Sequence, residues 1–124
     1  MALAEGNEAL VAVAGRRIAQ AASSLDQFAL AFDDGSGLLV RAVDGAAPRV
    51  AVEARPAAAL PALAEAVCAV DWSWIVGARV GEARLVEGQL RLQLEPVGPL
   101  TVSAALWQGR PFLAFQPYRP PPPT

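Results

Sequence analysis

The sequence predicts a β-rich α+β domain: two duplicated four-stranded antiparallel meanders, packed as a sandwich or closed like a barrel, joined by one short helix. Three observations carry this reading. The chain repeats itself at a fixed offset of 62 positions, large apolar residues alternate with small or polar ones inside each copy, and Gly, Asp and Pro clusters interrupt those runs at strand-length intervals.

The repeat is ungapped over most of its length. Gly15 meets Gly77, Arg17 meets Arg79, Ala21 meets Ala83, Leu30 meets Leu92, Leu38 meets Leu100, Val40 meets Val102 and Ala42 meets Ala104. The expected organisation is a single domain over residues 1–116, built from repeats at about 7–54 and 69–116, followed by a Pro-rich tail at 117–124.

Each copy opens on the same punctuation. Asn7 suits the start of a short helix or turn and Gly15 the left-handed residue after its end, and Asp71 and Gly77 repeat the pair. Strands are expected next, over 16–22 and 78–84, with Ile18 and Val80 facing inward and Arg17 and Arg79 outward, because side chains alternate across a strand. Phe28, Leu30 and Phe32 then alternate, as do Leu90, Leu92 and Leu94, and both triplets should face the core. The third strands carry Leu38, Val40 and Ala42 against Leu100, Val102 and Ala104. Asp44-Gly45 and Gln108-Gly109 supply the last turns, leading to strands over 50–53 and 112–115 at the same offset.

Between the copies, Pro61 suits a first helical residue, and Leu63, Val67 and Val70 follow at helical spacing, predicting a connecting helix over about 61–70. The outward faces of the copies differ: Ala29 and Ala31 in the first stand where the second has Arg91 and Gln93. A face of small residues can receive the connecting helix or a second subunit, and chain adjacency favours the helix. In the tail, consecutive prolines cannot join a central strand and suit an extended polyproline conformation.

Composition narrows the function classes. At 124 residues the chain can bury roughly two-thirds of its unfolded surface. Its hydrophobic share of 54% includes 27 alanines, so the core draws on many small side chains. The net charge is −2, every basic residue is Arg, and the arginines are interleaved with acids, so there is no basic stripe for nucleic acid. Cys68, the single cysteine, has no disulfide partner within the chain and reads as a small core hydrophobe. The N-terminal residues lack the pattern of a secretory signal, and no apolar run approaches the roughly 18 residues of a membrane span, so a cytoplasmic protein with no membrane association is expected.

The chain has no histidine, which removes the commonest general base and excludes Ser-His and Cys-His sites. Asp33 and Asp34 beside Gly35 read as a turn, since the further acidic positions of a calcium loop are missing. Asp71, Glu82, Glu87 and Glu95 have no spacing that brings two of them together. No catalytic residue, metal ligand or cofactor is expected, and the protein reads as a non-enzyme.

The candidate binding surface consists of Trp72, Trp74 and Trp107, all in the second copy, with Arg17 and Arg79. Tryptophan supplies large contact area with few rotatable bonds, although Trp72 or Trp74 could equally plug one end of the core. The two arginines could meet an anion or an acidic partner, or pair with an acid on the neighbouring strand. The pattern Gly-x-Arg-[Ile/Val], alternating Leu/Phe, an acidic turn and Leu-x-Val resembles that of small bacterial β-domains, and the resemblance carries no functional residues. The expected function is that of a non-catalytic protein-binding or accessory domain, immunity-like, with a protein partner or self-association into a homo-oligomer. The alternative is a carrier with a cavity between the sheets for a small apolar ligand.

Overall fold

The computed structural model describes residues 7–44, 47–61, 63 and 70–117. Helix α1 (Asn7–Val13) precedes a first antiparallel sheet of β1 (Ile18–Ser23), β2 (Gln27–Phe32), β3 (Ser36–Val43) and β4 (Arg49–Pro56), in that spatial order. The second sheet contains β5 (Arg79–Val86), β6 (Gln89–Glu95), β7 (Gly98–Trp107) and β8 (Arg110–Gln116), again in chain order. Two four-stranded meanders are therefore present, as the repeat implies. The predicted connecting helix falls largely on residues 62 and 64–69, outside the described residues, as do Cys68 and tail residues 118–124. Before that segment Ala57–Ala59 makes one turn of 3-10 helix. Among the described residues no helix is long and apolar enough to cross a membrane.

The two copies meet through backbone bonds that obey the 62-residue offset. Gly15 N–H donates to Val80 O at 2.6 Å and Gly77 N–H donates to Ile18 O at 2.7 Å. Ile18 N–H donates to Ala78 O and Val80 N–H to Arg16 O, both at 2.8 Å. Each bond is the image of its partner about a pseudo-twofold axis at the antiparallel bridge between Arg17 and Arg79. Gly15 and Gly77 sit at φ +84° and +91°, a left-handed conformation that glycine adopts without steric cost, and this turn aims their N–H groups across the axis. A bulge follows in each copy, between Ile18 and Gln20 and between Val80 and Glu82.

The inward faces of both sheets and α1 share one hydrophobic cluster. Phe28, Leu30 and Phe32 are buried in it, as are Leu90, Leu92 and Leu94, together with Leu38, Val40, Leu100 and Val102. Strict alternation explains this, since burying one face of each sheet fixes every second residue. Each large side chain so removed from water contributes roughly 1.5–3 kcal/mol. The equivalence extends outside the strands. Leu10 and Val13 of α1 are buried, and their counterparts at +62, Trp72 and Ile75, are buried as well, although residues 73–75 form a turn where residues 11–13 of the first copy are helical. Asp71 Oδ1 accepts from Ser73 N–H at 3.0 Å and from Ser73 Oγ at 2.6 Å, which closes that turn early.

The last strands differ from the ungapped alignment. Residues 44–48 separate the paired Val43 and Arg49, whereas 106–111 separate the equivalent Ala105 and Phe112, one residue more. Val50 thus corresponds to Leu113, and the expected match of 50–53 to 112–115 is corrected to 113–116. The second hairpin is also longer: β7 and β8 continue through the pairs Leu106–Pro111 and Trp107–Arg110. Gln108 (φ 50°) and Gly109 (φ 78°) close it, the pair of positive angles that a two-residue type I′ hairpin requires.

Candidate functional site

The structure separates the five candidate residues into three environments. Trp72 is a core residue, 4% exposed. Its ring lies 4.5 Å from that of Phe28 on the first sheet and 4.8 Å from that of Phe115 on the second, measured between centroids. Its Nε1 donates to the buried Ser23 Oγ at 2.9 Å. It therefore belongs to no surface: the expectation that it contributes to a binding face is corrected, because it fills the site that Leu10 fills in the first copy. Trp74 is partly buried and packs against the same cluster.

Arg17 and Arg79 are exposed and form the backbone bridge between the copies; the Arg17 side chain reaches across it, whereas that of Arg79 pairs within its own sheet. Arg17 Nη1 donates to Gly77 O at 2.8 Å, and Arg79 Nη2 pairs with Glu95 Oε1 at 2.9 Å across the β5–β6 register. The nearby Asp33–Asp34 turn is likewise committed, with Asp34 Oδ1 accepting from Ser36 N–H at 3.0 Å and its carboxylate paired with Arg16. These groups are arranged for local structure.

Among the three tryptophans, Trp107 is the exposed one. It is 58% exposed at the end of β7, and the preceding Leu106 is 49% exposed. Leu106, which sequence reasoning missed, stands at the position of Asp44 in the first copy, so the signal available was an apolar pair replacing Asp44-Gly45 in a hairpin.

Register fixes which residues share the outward face of the second sheet. Leu100 and Val102 point inward on β7, and Leu113 and Phe115 point inward on β8, so Thr101, Ser103, Ala105 and Trp107 lie outward beside Gln116, Ala114, Phe112 and Arg110. On the same face β6 presents Gln89, Arg91 and Gln93, and β5 presents Glu82, Arg84 and Val86. The half nearer the hairpin is mainly apolar, with Arg110 at its tip, and the half nearer Pro99 is charged. Arg84 Nε pairs with Glu82 at 2.9 Å, whereas Arg91 and Arg110 have no ion-pair partner among the described residues.

The outward face of the first sheet is different in kind. Ala22, Ala29, Leu39 and Glu53 form one row across it, and Gln20, Ala31, Gly37 and Arg55 form the next. Leu39 is 2% exposed and Glu53 8% exposed although both point outward. Glu53 accepts from Arg55 through both oxygens, from Nε at 3.0 Å and from Nη2 at 3.2 Å, the bidentate geometry that offsets loss of hydration. Leu60 packs directly over Gly37, whose missing Cβ makes room for it: a Cβ there would lie 2.8 Å from the leucine Cδ1. Alongside, a groove of about 490 Å³ is lined mainly by Ala19, Ala22, Ala29, Ala31, Leu60 and Val76. The groove is on the outside of the sheet and not between the two sheets.

No protein-family model matches the chain, and no curated protein and no solved structure matches it.

Proposed function

We propose that the protein is a non-catalytic protein-binding domain, of accessory or immunity type, whose contact surface is the projecting hairpin of β7 and β8. The observation that carries this is the pair Leu106 and Trp107, half-exposed or more at the end of a hairpin that outgrows its counterpart in the first copy. A solvated tryptophan on a rigid hairpin gives up apolar area to water that a partner would remove, and tryptophan is among the residues that most often dominate interface energetics. A two-residue type I′ turn holds this tip in one geometry, so little ordering entropy opposes binding. The lone cysteine suits a reducing compartment such as the cytoplasm.

The test is affinity capture from the native cell with the intact chain and with Trp107→Ala. A defined partner retained by the first and lost by the second, with the thermal melt unchanged, is the expected result. Equal capture by both would remove the hairpin from the binding surface. Light scattering of the purified chain distinguishes a second copy from a different partner.

A further inference from the structure

We infer that the partner presents an acidic, apolar surface, docking on the outward face of the second sheet with Trp107 and Phe112 as anchors and Arg91 and Arg110 as the charge-reading groups; this rests on the binding role assigned to the hairpin. The register places these residues together. Trp107 pairs across the hairpin with Arg110, and the next outward pair, Ala105 and Phe112, shares the same phase of the ladder's hydrogen bonding and forms the adjoining outward row. Beyond it come Ser103 and Ala114, flanked by Gln89, and then Thr101 and Gln116, flanked by Arg91. An apolar centre therefore has a cation at each end and hydroxyl and amide groups between, the layout of an anchoring core with a polar rim.

Charge decides the kind of partner. The chain as a whole is acidic, at −2, yet this face carries Arg79, Arg84, Arg91 and Arg110 against Glu82 and Glu95, and those two carboxylates are already paired, Glu82 with Arg84 and Glu95 with Arg79. Two guanidinium groups are left with no carboxylate among the described residues, each carrying five donors suited to bidentate contact with carboxylate. A second copy of the chain fits poorly, because an isologous contact through this face sets the same cations against themselves. A nucleic acid fits poorly too: two arginines spaced by an apolar centre, on an acidic chain, do not form the continuous basic track that a phosphate backbone needs. A protein surface with carboxylates around an apolar residue matches both features.

The experiment is selection of a phage-displayed random peptide library on the intact chain, on the double variant Arg91→Glu/Arg110→Glu, and on Trp107→Ala. The intact chain should enrich peptides that place Asp or Glu around a large apolar residue. The double variant should reverse the charge preference toward Lys and Arg while keeping the apolar residue, and Trp107→Ala should lose at least tenfold in enrichment. All three substitutions are at exposed or outward positions, and circular dichroism with a thermal melt verifies the fold. Should either arginine variant fail to fold, Arg91→Gln and Arg110→Gln are tested singly, each expected to weaken the acidic preference. Peptides selected through Trp107 without charge bias, or with a bias that the charge reversal leaves unchanged, overturn the acidic partner and leave the hairpin reading standing. Peptides that bind Trp107→Ala as well as the intact chain, or no selection at all, overturn both.

Discussion

The indole Nε1 of Trp72 donates to Ser23 Oγ at 2.9 Å, a buried hydrogen bond between the segment that opens the second copy and the last residue of β1 in the first. A buried N–H without an acceptor costs far more than a satisfied one contributes, so this bond makes a tryptophan tolerable in a place that leucine occupies in the other copy. Ser23→Ala should therefore destabilise the fold by about 1–3 kcal/mol. Trp72→Ala should cost about 3–5 kcal/mol, because it also leaves a cavity between Phe28 and Phe115. Urea denaturation followed by far-UV circular dichroism measures both.

The contrast between a 4% exposed Trp72 and a 58% exposed Trp107 has a spectroscopic consequence. Trp107→Phe should remove the red-shifted, acrylamide-quenchable part of the fluorescence, and Trp72→Phe should leave that part in place. Stern–Volmer slopes for the two variants test this, and similar slopes would contradict the placement.

Gly15 and Gly77 hold mirrored positions and conformations, so they should respond alike. Alanine at either meets no steric obstruction from other residues yet must adopt the left-handed conformation. Each substitution is expected to cost about 1–2 kcal/mol, the cost of that conformation for a residue with a Cβ. Matching shifts in thermal midpoint for the two single variants are the expected outcome, and a large difference would argue against the pseudo-twofold join.

Charge placement predicts unequal sensitivity on the two outward faces. Glu53 is nearly buried and held by Arg55 through two bonds, so Glu53→Ala should cost about 1.5–3 kcal/mol. The Glu82–Arg84 pair is exposed, and Glu82→Ala should stay within about 0.5 kcal/mol of the parent. Chemical denaturation of the two variants side by side checks the ordering.

Much of the fold was legible because alternation and repetition are properties of a chain before it folds. Phe28, Leu30, Phe32 and their counterparts Leu90, Leu92 and Leu94 announce their face by period alone. Two features were not legible, for physical reasons. The one-residue difference between the last hairpins of the two copies changes no residue's chemistry, so an ungapped comparison passes over it; only the pairing of Ala105 with Phe112 reveals it. The burial of Trp72 depends on Phe28 and Phe115, which come from different sheets, and a sequence does not show that three distant rings will meet. The same holds for the surface, where Trp107, Phe112 and Arg91 come to share one face only through the register of β6, β7 and β8.

The binding role of the hairpin is tested most directly by site-specific photo-crosslinking in the native cell, with a benzophenone amino acid at position 107 and, as a control, at position 11 on α1, which is more exposed still. A discrete adduct from position 107 that is absent from position 11, and that is lost when Arg91 and Arg110 are reversed to Glu, is the expected result. The absence of any adduct at position 107, or the same adducts from both positions, would contradict it.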